Sequence, residues 1–408
     1  MIREVCSTGD ALSWAEKAIS IPMNLTRWIL LCLILMCGAG CSSPKWLMFQ
    51  ANSRHTGHLP GVTHAVPLER VWTRSFPDAL LTPPVVGSGK VFMTASNDLF
   101  ALSTEDGSTL WTYTAPIGGF WSGVAAVGNR VYAVTRVPDG SDNGRVICLR
   151  PSTGALLWSE SGGEGSEAPV TVGGGHVFIN EKPCGLRFRD AQDGHGQLHC
   201  SGGECQDPNS KAAAYLNGRA YIATAMDVYY CDESGANGPV GPFGTLSNAR
   251  STPMLVQLDG PQSGDYALVI RTGNILRVVD PEDGDPYWSD SAVNTEDEGV
   301  ASFPGVVYFF DGMQVIAKLA RTGGALWTYD NAKPLRFSPV VTDNLVYFVD
   351  TTDVHALDRL TGQLLWSDEV RKEDETGGTG LVVTKQGLLV AVADRVIWFR
   401  KRHIAEPQ

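Results

Sequence analysis

Positive charge is in short supply: 32 Lys and Arg stand against 44 Asp and Glu, a formal net charge of −12, and the interior holds no arginine-rich block. A polyanionic backbone is therefore a poor partner for this chain. Long apolar runs are missing too. The run WILLCLILMCGA, Trp28 to Ala39, is about a dozen residues, short of the roughly 20 that a membrane-spanning helix needs. The sequence has no G-x-S-x-G elbow, no adjacent cysteines and no paired C-x₂₋₄-C knuckles between Cys184 and Cys231, so hydrolase and zinc-knuckle chemistries lack their usual local signatures. His195 and His199 are four apart but sit in the glycine-rich stretch DGHGQLHC, not on one face of a helix. A metal site there with Cys200 and Cys205 is the minor reading. No catalytic, cofactor or metal residue can be named, and the expectation is that there is none.

What is abundant is glycine, 45 of 408 residues, together with 11 tryptophans. Gly-rich turns between evenly spaced aromatics are a cue for all-β repeats such as propeller blades. Five stretches end alike: ALSTEDGSTLW at Trp111, LRPSTGALLW at Trp158, VDPEDGDPYW at Trp288, LARTGGALW at Trp327 and ALDRLTGQLLW at Trp366. Each places a glycine four residues before the tryptophan, at Gly107, Gly154, Gly284, Gly323 and Gly362. The spacing from Trp288 to Trp327, and again to Trp366, is 39 residues.

Each copy reads as a strand of alternating Val/Tyr/Phe, a polar turn, a second apolar strand, a glycine turn needing positive φ, and a strand starting at the tryptophan. One such sheet cannot bury its own faces, so copies must stack, with the tryptophan as a wedge between neighbours. The interval from Trp158 to Trp288 hides two degenerate copies, around residues 169–182 and 211–231. The strand LERVWTRS around Trp72 has no inner strands before it, which points to ring closure against the last C-terminal sheet.

The predicted fold is an all-β, eight-bladed β-propeller of four-stranded antiparallel blades, or seven-bladed if the cysteine-rich region is an insertion. The predicted organisation is a signal segment at 1–40, with the true start at Met23, then a lipid-anchor linker and leading segment at 41–65. A single propeller at 66–401 and a tail at 402–408 complete it.

Arg27, the apolar run and small residues Gly38 to Gly40 make the three parts of an export signal. With CSSPKW beginning at Cys41, it resembles a bacterial lipoprotein signal. That resemblance implies lipid attachment at Cys41, and Ser42 in place of Asp implies passage to the outer membrane. Gly38 departs from the family's usual Leu or Val, and cleavage near Gly40 releasing a soluble periplasmic protein is the alternative. In an oxidising compartment Cys184, Cys200, Cys205 and Cys231 are disulfide candidates. Pairing is not readable from spacing, although Cys200 with Cys205 and Cys184 with Cys231 are the combinations it suggests. Cys148, in the alternation RVICLR, reads as an inert buried thiol. The acidic run DPEDGD from Asp280 lacks the register of a calcium loop and reads as turn chemistry. TEDE at 295–298 and KEDE at 372–375 read as solvated loops between blades.

The mark A-L-D-x-x-T-G-x-x-x-W, carried by Ala356 to Trp366 and in part by Ala101 to Trp111, resembles the PQQ-like repeat family of β-propellers. Behind a lipoprotein signal, the nearest type is the BamB-like outer-membrane assembly lipoprotein. This implies a non-catalytic scaffold on the periplasmic side of the outer membrane, binding envelope or outer-membrane proteins through its faces and loops, with no nucleic acid and no cofactor. The alternative is a periplasmic ligand-binding or quinone-dependent redox protein. Quinoprotein dehydrogenases resemble the chain in blade architecture but carry a longer body, a vicinal cysteine pair and a calcium site, none of which maps onto residues here.

Overall fold

The computed structural model describes residues 45–401 except 79, 81, 138–142, 163–165, 167, 181–184, 197, 201–210, 224–227, 241–250, 261–263, 273, 291–298, 374 and 376. Among these there is no helix. Eight antiparallel sheets follow one another along the chain. We number the blades 1 to 8, at 85–114, 119–161, 171–200, 214–239, 254–290, 300–330, 335–369 and 378–401. The last is completed by the N-terminal strand Leu68–Ser75, which pairs antiparallel with Arg395–Lys401. The count is eight because the cysteine-rich stretch forms two sheets of its own, blades 3 and 4. Blade 2 carries one addition, the two-residue strand Gly119–Phe120, paired with Thr135 and Arg136.

Strand sequences match their place in a blade. Second strands are sandwiched between neighbouring blades and are apolar on both faces: Leu345–Asp350 and Gly387–Val392 are buried at every position. Outermost strands Thr109–Thr114, Ala325–Asp330 and Leu364–Glu369 alternate between exposed and half-buried residues, as a strand with one wet face does.

The repeat tryptophans form the seams. Four indole N–H groups donate to a carbonyl of the following blade, Trp72 to Thr104 at 3.2 Å, Trp111 to Pro151 at 2.9 Å, Trp288 to Ala320 at 2.8 Å and Trp327 to Arg359 at 3.0 Å, whereas that of Trp158 is buried without a hydrogen-bond partner. The repeat glycines have positive φ, 72° at Gly362. They also do something the turn alone does not require. A Cβ on Gly362 would stand 2.7 Å from the Trp327 ring, and one on Gly323 2.8 Å from Trp288. The glycine of one blade is thus the floor on which the previous blade's tryptophan lies. Gly194 fills this slot against Trp158 in blade 3, whose sequence lacks the full motif.

Candidate functional site

In an open ring, the innermost strand of each blade presents unpaired backbone groups to the central channel, and an edge of that kind must be satisfied. Residues 46–64 supply the partners. This strap has no periodic apolar pattern, and it runs along the inner strands near their turns to the second strands. Its carbonyls accept inner-strand N–H groups in turn. Trp46 accepts from Val86 at 2.8 Å, Leu47 from Ala126 at 2.6 Å, Ser53 from Tyr215 at 2.7 Å and Arg54 from Leu255 at 3.0 Å. Thr56 then accepts from Ser302 and Gly57 from Val341, both at 2.7 Å. Side chains reach the two remaining blades. His55 meets Thr171 Oγ1 of blade 3 at 3.0 Å, and His64 meets the Thr384 carbonyl of blade 8 at 2.7 Å. The strap bends tightly to do this: Gln50, Ala51 and His55 all have positive φ, a costly conformation for such residues.

Between the strap and blades 5 to 7 lies a cleft of about 420 Å³, with Arg54, His58 and Pro60 on one side and Gln257, Phe303 and Asp343 on the other. His58 Nε2 is 3.1 Å from Asp343 Oδ1, and Gly61 N donates to Oδ2 at 3.1 Å. Burial lowers the His58 pKa, and the Asp343 hydrogen bond offsets this only in part. His64 is likewise lowered by burial against the pull of the Thr384 carbonyl. The Arg359 guanidinium lies 3.7 Å from the Phe303 ring centroid, a cation–π contact at the cleft wall.

The other end of blade 7 holds a second polar group. Asp350, His355 and Asp353 are the one set of three metal-capable side chains found within ligating distance of one another among the described residues. Their partners are protein groups. Asp350 accepts from His355 Nε2 at 2.8 Å, from Asn331 at 3.1 Å, and from the N–H groups of Thr352 and Asp353, both at 2.8 Å. Lys333 Nζ sits 3.0 Å from Asp353 Oδ2 and supplies the cation. The atoms that face one another are therefore already engaged by protein groups and a lysine, and the set does not fit a resident metal ion, although His355 Nδ1 on the far side of the ring is buried without a hydrogen-bond partner. Burial alone would raise the Asp350 carboxyl, but these hydrogen bonds, led by His355, outweigh it and hold its pKa below the usual carboxylate range. Asp350→Ala is expected to cost about 2–4 kcal/mol, since it orphans several buried donors at once. A urea midpoint unchanged at pH 7 would contradict that. Because the folded pKa is depressed, this stabilisation is present above about pH 4 and is lost as pH falls below it.

The sequence-based candidates fall as follows. Cys41, Cys184 and Cys205 lie outside the described residues. Cys200, in the outer strand of blade 3, and Cys231, in the third strand of blade 4, lie at disulfide distance with Cα atoms 6.1 Å apart. This pair is neither of the combinations suggested by spacing, Cys200 with Cys205 and Cys184 with Cys231, whose other members lie outside the described residues. Neighbours across a seam are set by blade stacking and not by separation in sequence. His195 is exposed, 4.0 Å from Glu160, and His199 lies in the strand Leu198–Cys200. Cys148 is buried and free, with its thiol pushed up by burial. The 280–285 run is turn chemistry: Asp280 accepts from Glu282 N at 2.8 Å and Asp283 from Asp285 N at 2.9 Å. Residues 295–298 lie outside the described set, while Glu375 pairs with Arg395 at 2.5 Å across the junction of blades 7 and 8. Two features were missed. The strap carried a signal in its three histidines, His55, His58 and His64, all buried within a short polar stretch. His355 carried another, because it stands where blades 1 and 6 place Phe100 and Ile316.

Comparison with known proteins adds to this geometry. The family described as outer membrane protein assembly factor BamB matches residues 114–232 and 271–402. Among solved structures, BamB from Moraxella catarrhalis is similar with a TM-score of 0.64 at 19% identity, covering 82% of this chain and 100% of that one. A quinohemoprotein alcohol dehydrogenase from Pseudomonas putida has a TM-score of 0.67 at 13% identity, covering 90% and 81%. A europium-containing methanol dehydrogenase has 0.68 at 13%, covering 86% and 90%. At these identities the structural likenesses speak to fold alone. No curated protein sequence matches the chain.

Proposed function

Since the chain belongs to the family described as outer membrane protein assembly factor BamB, we propose that it is a non-catalytic scaffold that assists outer-membrane protein assembly. It works from the periplasmic side of a bacterial outer membrane, anchored by lipid on Cys41. The observation that supports this reading most is the strap. It spends the backbone groups of the inner rim on the protein's own residues 46–64, so the surfaces left for partners are blade edges, turns and the strap cleft. Rigid scaffolds of this kind present strand edges and grooves to extended polypeptides. Envelope or outer-membrane proteins are the partners, and nucleic acid is not.

A bridge between Cys200 and Cys231 belongs to the same reading, because an oxidising periplasm would form it. It would tie blade 3 to blade 4, where tryptophan seams are fewest.

Two measurements test the proposal. Cys41→Ser is expected to move the protein from the membrane to the soluble periplasmic fraction with its fold unchanged, and retention in the membrane would refute the anchor. Affinity capture from solubilised envelopes is expected to recover outer-membrane barrel or assembly proteins. If it recovers none, and the native protein shows quinone absorbance, the quinone-dependent alternative stands in its place.

A further inference from the structure

Every second residue of the strap from Asn52 onward lines the cleft against blades 5 to 7: Asn52, Arg54, Thr56, His58 and Pro60. Alternate residues of an extended chain share one side in this way. His55, between them, turns instead to the Pro253 carbonyl and to Thr171 Oγ1. The cleft measures about 420 Å³, a size at which small-molecule sites occur.

Its charges do not balance. Asp343 has both carboxylate oxygens engaged by the protein, Oδ1 by His58 Nε2 and Oδ2 by Gly61 N, each at 3.1 Å. Arg54 is half-buried in the strap wall and forms no ion pair among the described residues, its guanidinium lying 5.3 Å from the Tyr266 ring centroid. The backbone that carries it is fixed. Arg54 N donates to Asn52 Oδ1 and its carbonyl accepts from Leu255 N, both at 3.0 Å. Thr56, 7% exposed, adds an unused donor. Its Oγ1 accepts from Asn52 Nδ2 at 2.6 Å and from His58 N at 3.3 Å, which leaves its own O–H proton without an acceptor among the described residues. A half-buried cation and a buried hydroxyl proton, both unanswered, are unfavourable until an anion meets them. The remaining wall is apolar. Phe303, half-buried and 4.8 Å from the His58 ring, lines the cleft together with Pro60 and Pro304.

We propose that the strap cleft binds an organic carboxylate that carries an apolar ring or chain. The carboxylate meets Arg54 and the Thr56 hydroxyl, and the apolar part lies against Phe303, Pro60 and Pro304. One unpaired cation matches a monoanion, while the Asp343 charge in the same cleft disfavours a dianion such as phosphate. Because the strap bonds hold these groups in place beforehand, little ordering is left for the ligand to impose. The inference stands on the cleft itself and does not depend on the assembly reading.

The test is calorimetric titration of the folded chain with phenylacetate and with its neutral counterpart phenylacetamide. A short peptide with an apolar last residue, as free acid and as C-terminal amide, is titrated alongside. The proteins are wild type, Arg54→Gln, Arg54→Lys and Arg321→Gln, the last removing a surface cation that pairs with Asp259 and Asp265 outside the cleft. At least one acid is expected to bind wild type saturably and at least tenfold more tightly than its amide. Arg54→Gln should abolish that margin, Arg54→Lys should keep part of it, and Arg321→Gln should leave it unchanged. Binding of phenylacetate alone assigns the site to free acids, and binding of the peptide acid alone assigns it to a chain terminus. Equal affinity of wild type for acid and amide, or no binding of any probe, would overturn the proposal, as would acid binding by Arg54→Gln at wild-type strength. The comparison of acid with amide uses wild type, so it decides the matter even where a variant fails to fold.

Discussion

Gly362→Ala is expected to destabilise the protein by about 2–5 kcal/mol, far more than glycine-to-alanine changes in its other turns. Two costs combine. Positive φ in a residue with a Cβ costs about 1–2 kcal/mol, and forcing a methyl group into the Trp327 ring, 2.7 Å away, adds about 1–3 kcal/mol of overpacking. Gly312 separates them, because it has a φ of 61° but nothing within 4 Å of the Cβ position. Gly312→Ala should therefore show the first cost alone. Trp327→Ala removes a ring wedged between blades and should cost about 3–5 kcal/mol. In the double variant the overpacking vanishes, so Gly362→Ala should then cost no more than Gly312→Ala. Equal denaturation midpoints for the two single alanine variants would disprove the seam argument.

Acidification from pH 7.5 to 5.5 is the second large effect, and it acts on the strap. Burial lowers the folded-state pKa of both His58 and His64 from the ordinary 6.5. The folded protein then binds fewer protons than the unfolded chain in this range. The stability tied to these groups is complete above about pH 6.5 and is lost as pH falls through 6.5 toward the folded values, by at most about 1.4 kcal/mol per pH unit for each histidine. Urea midpoints at the two pH values read the loss. His64→Gln keeps a donor for the Thr384 carbonyl and should flatten the dependence by roughly half, whereas an unchanged slope would mean that His64 does not titrate with unfolding. Asp350 does not contribute here, because its window lies below about pH 4.

The ring was legible because its unit is local. Gly-x-x-x-Trp places a turn, a bulge and a wedge within a few residues, and five copies make the period plain. The second duty of Gly362 was not legible, since Trp327, the ring it supports, lies a whole blade earlier in the chain. Blades 3 and 4 kept the strands but lost the mark, and Gly194 could be recognised only once Trp158 was seen resting on it. The strap escaped for a different reason. Its bonds to six of the blades are made by backbone carbonyls, which leave no trace in residue type, and only its buried histidines marked it.

The closing sheet has a bearing on how the molecule is made. Leu68–Ser75 pairs with Arg395–Lys401, so the first strand to emerge from a synthesising or translocating chain waits for nearly the last. Bridging that separation carries a large loop-closure entropy, and contacts so distant in sequence form late. Until then the arc of blades 1 to 7 has two open flanks, a condition in which unpaired strands invite wrong partners. Folding of this protein therefore ends with a single latching event, and a chain cut short by a dozen residues at its C-terminus should accumulate as an unlatched, protease-sensitive arc.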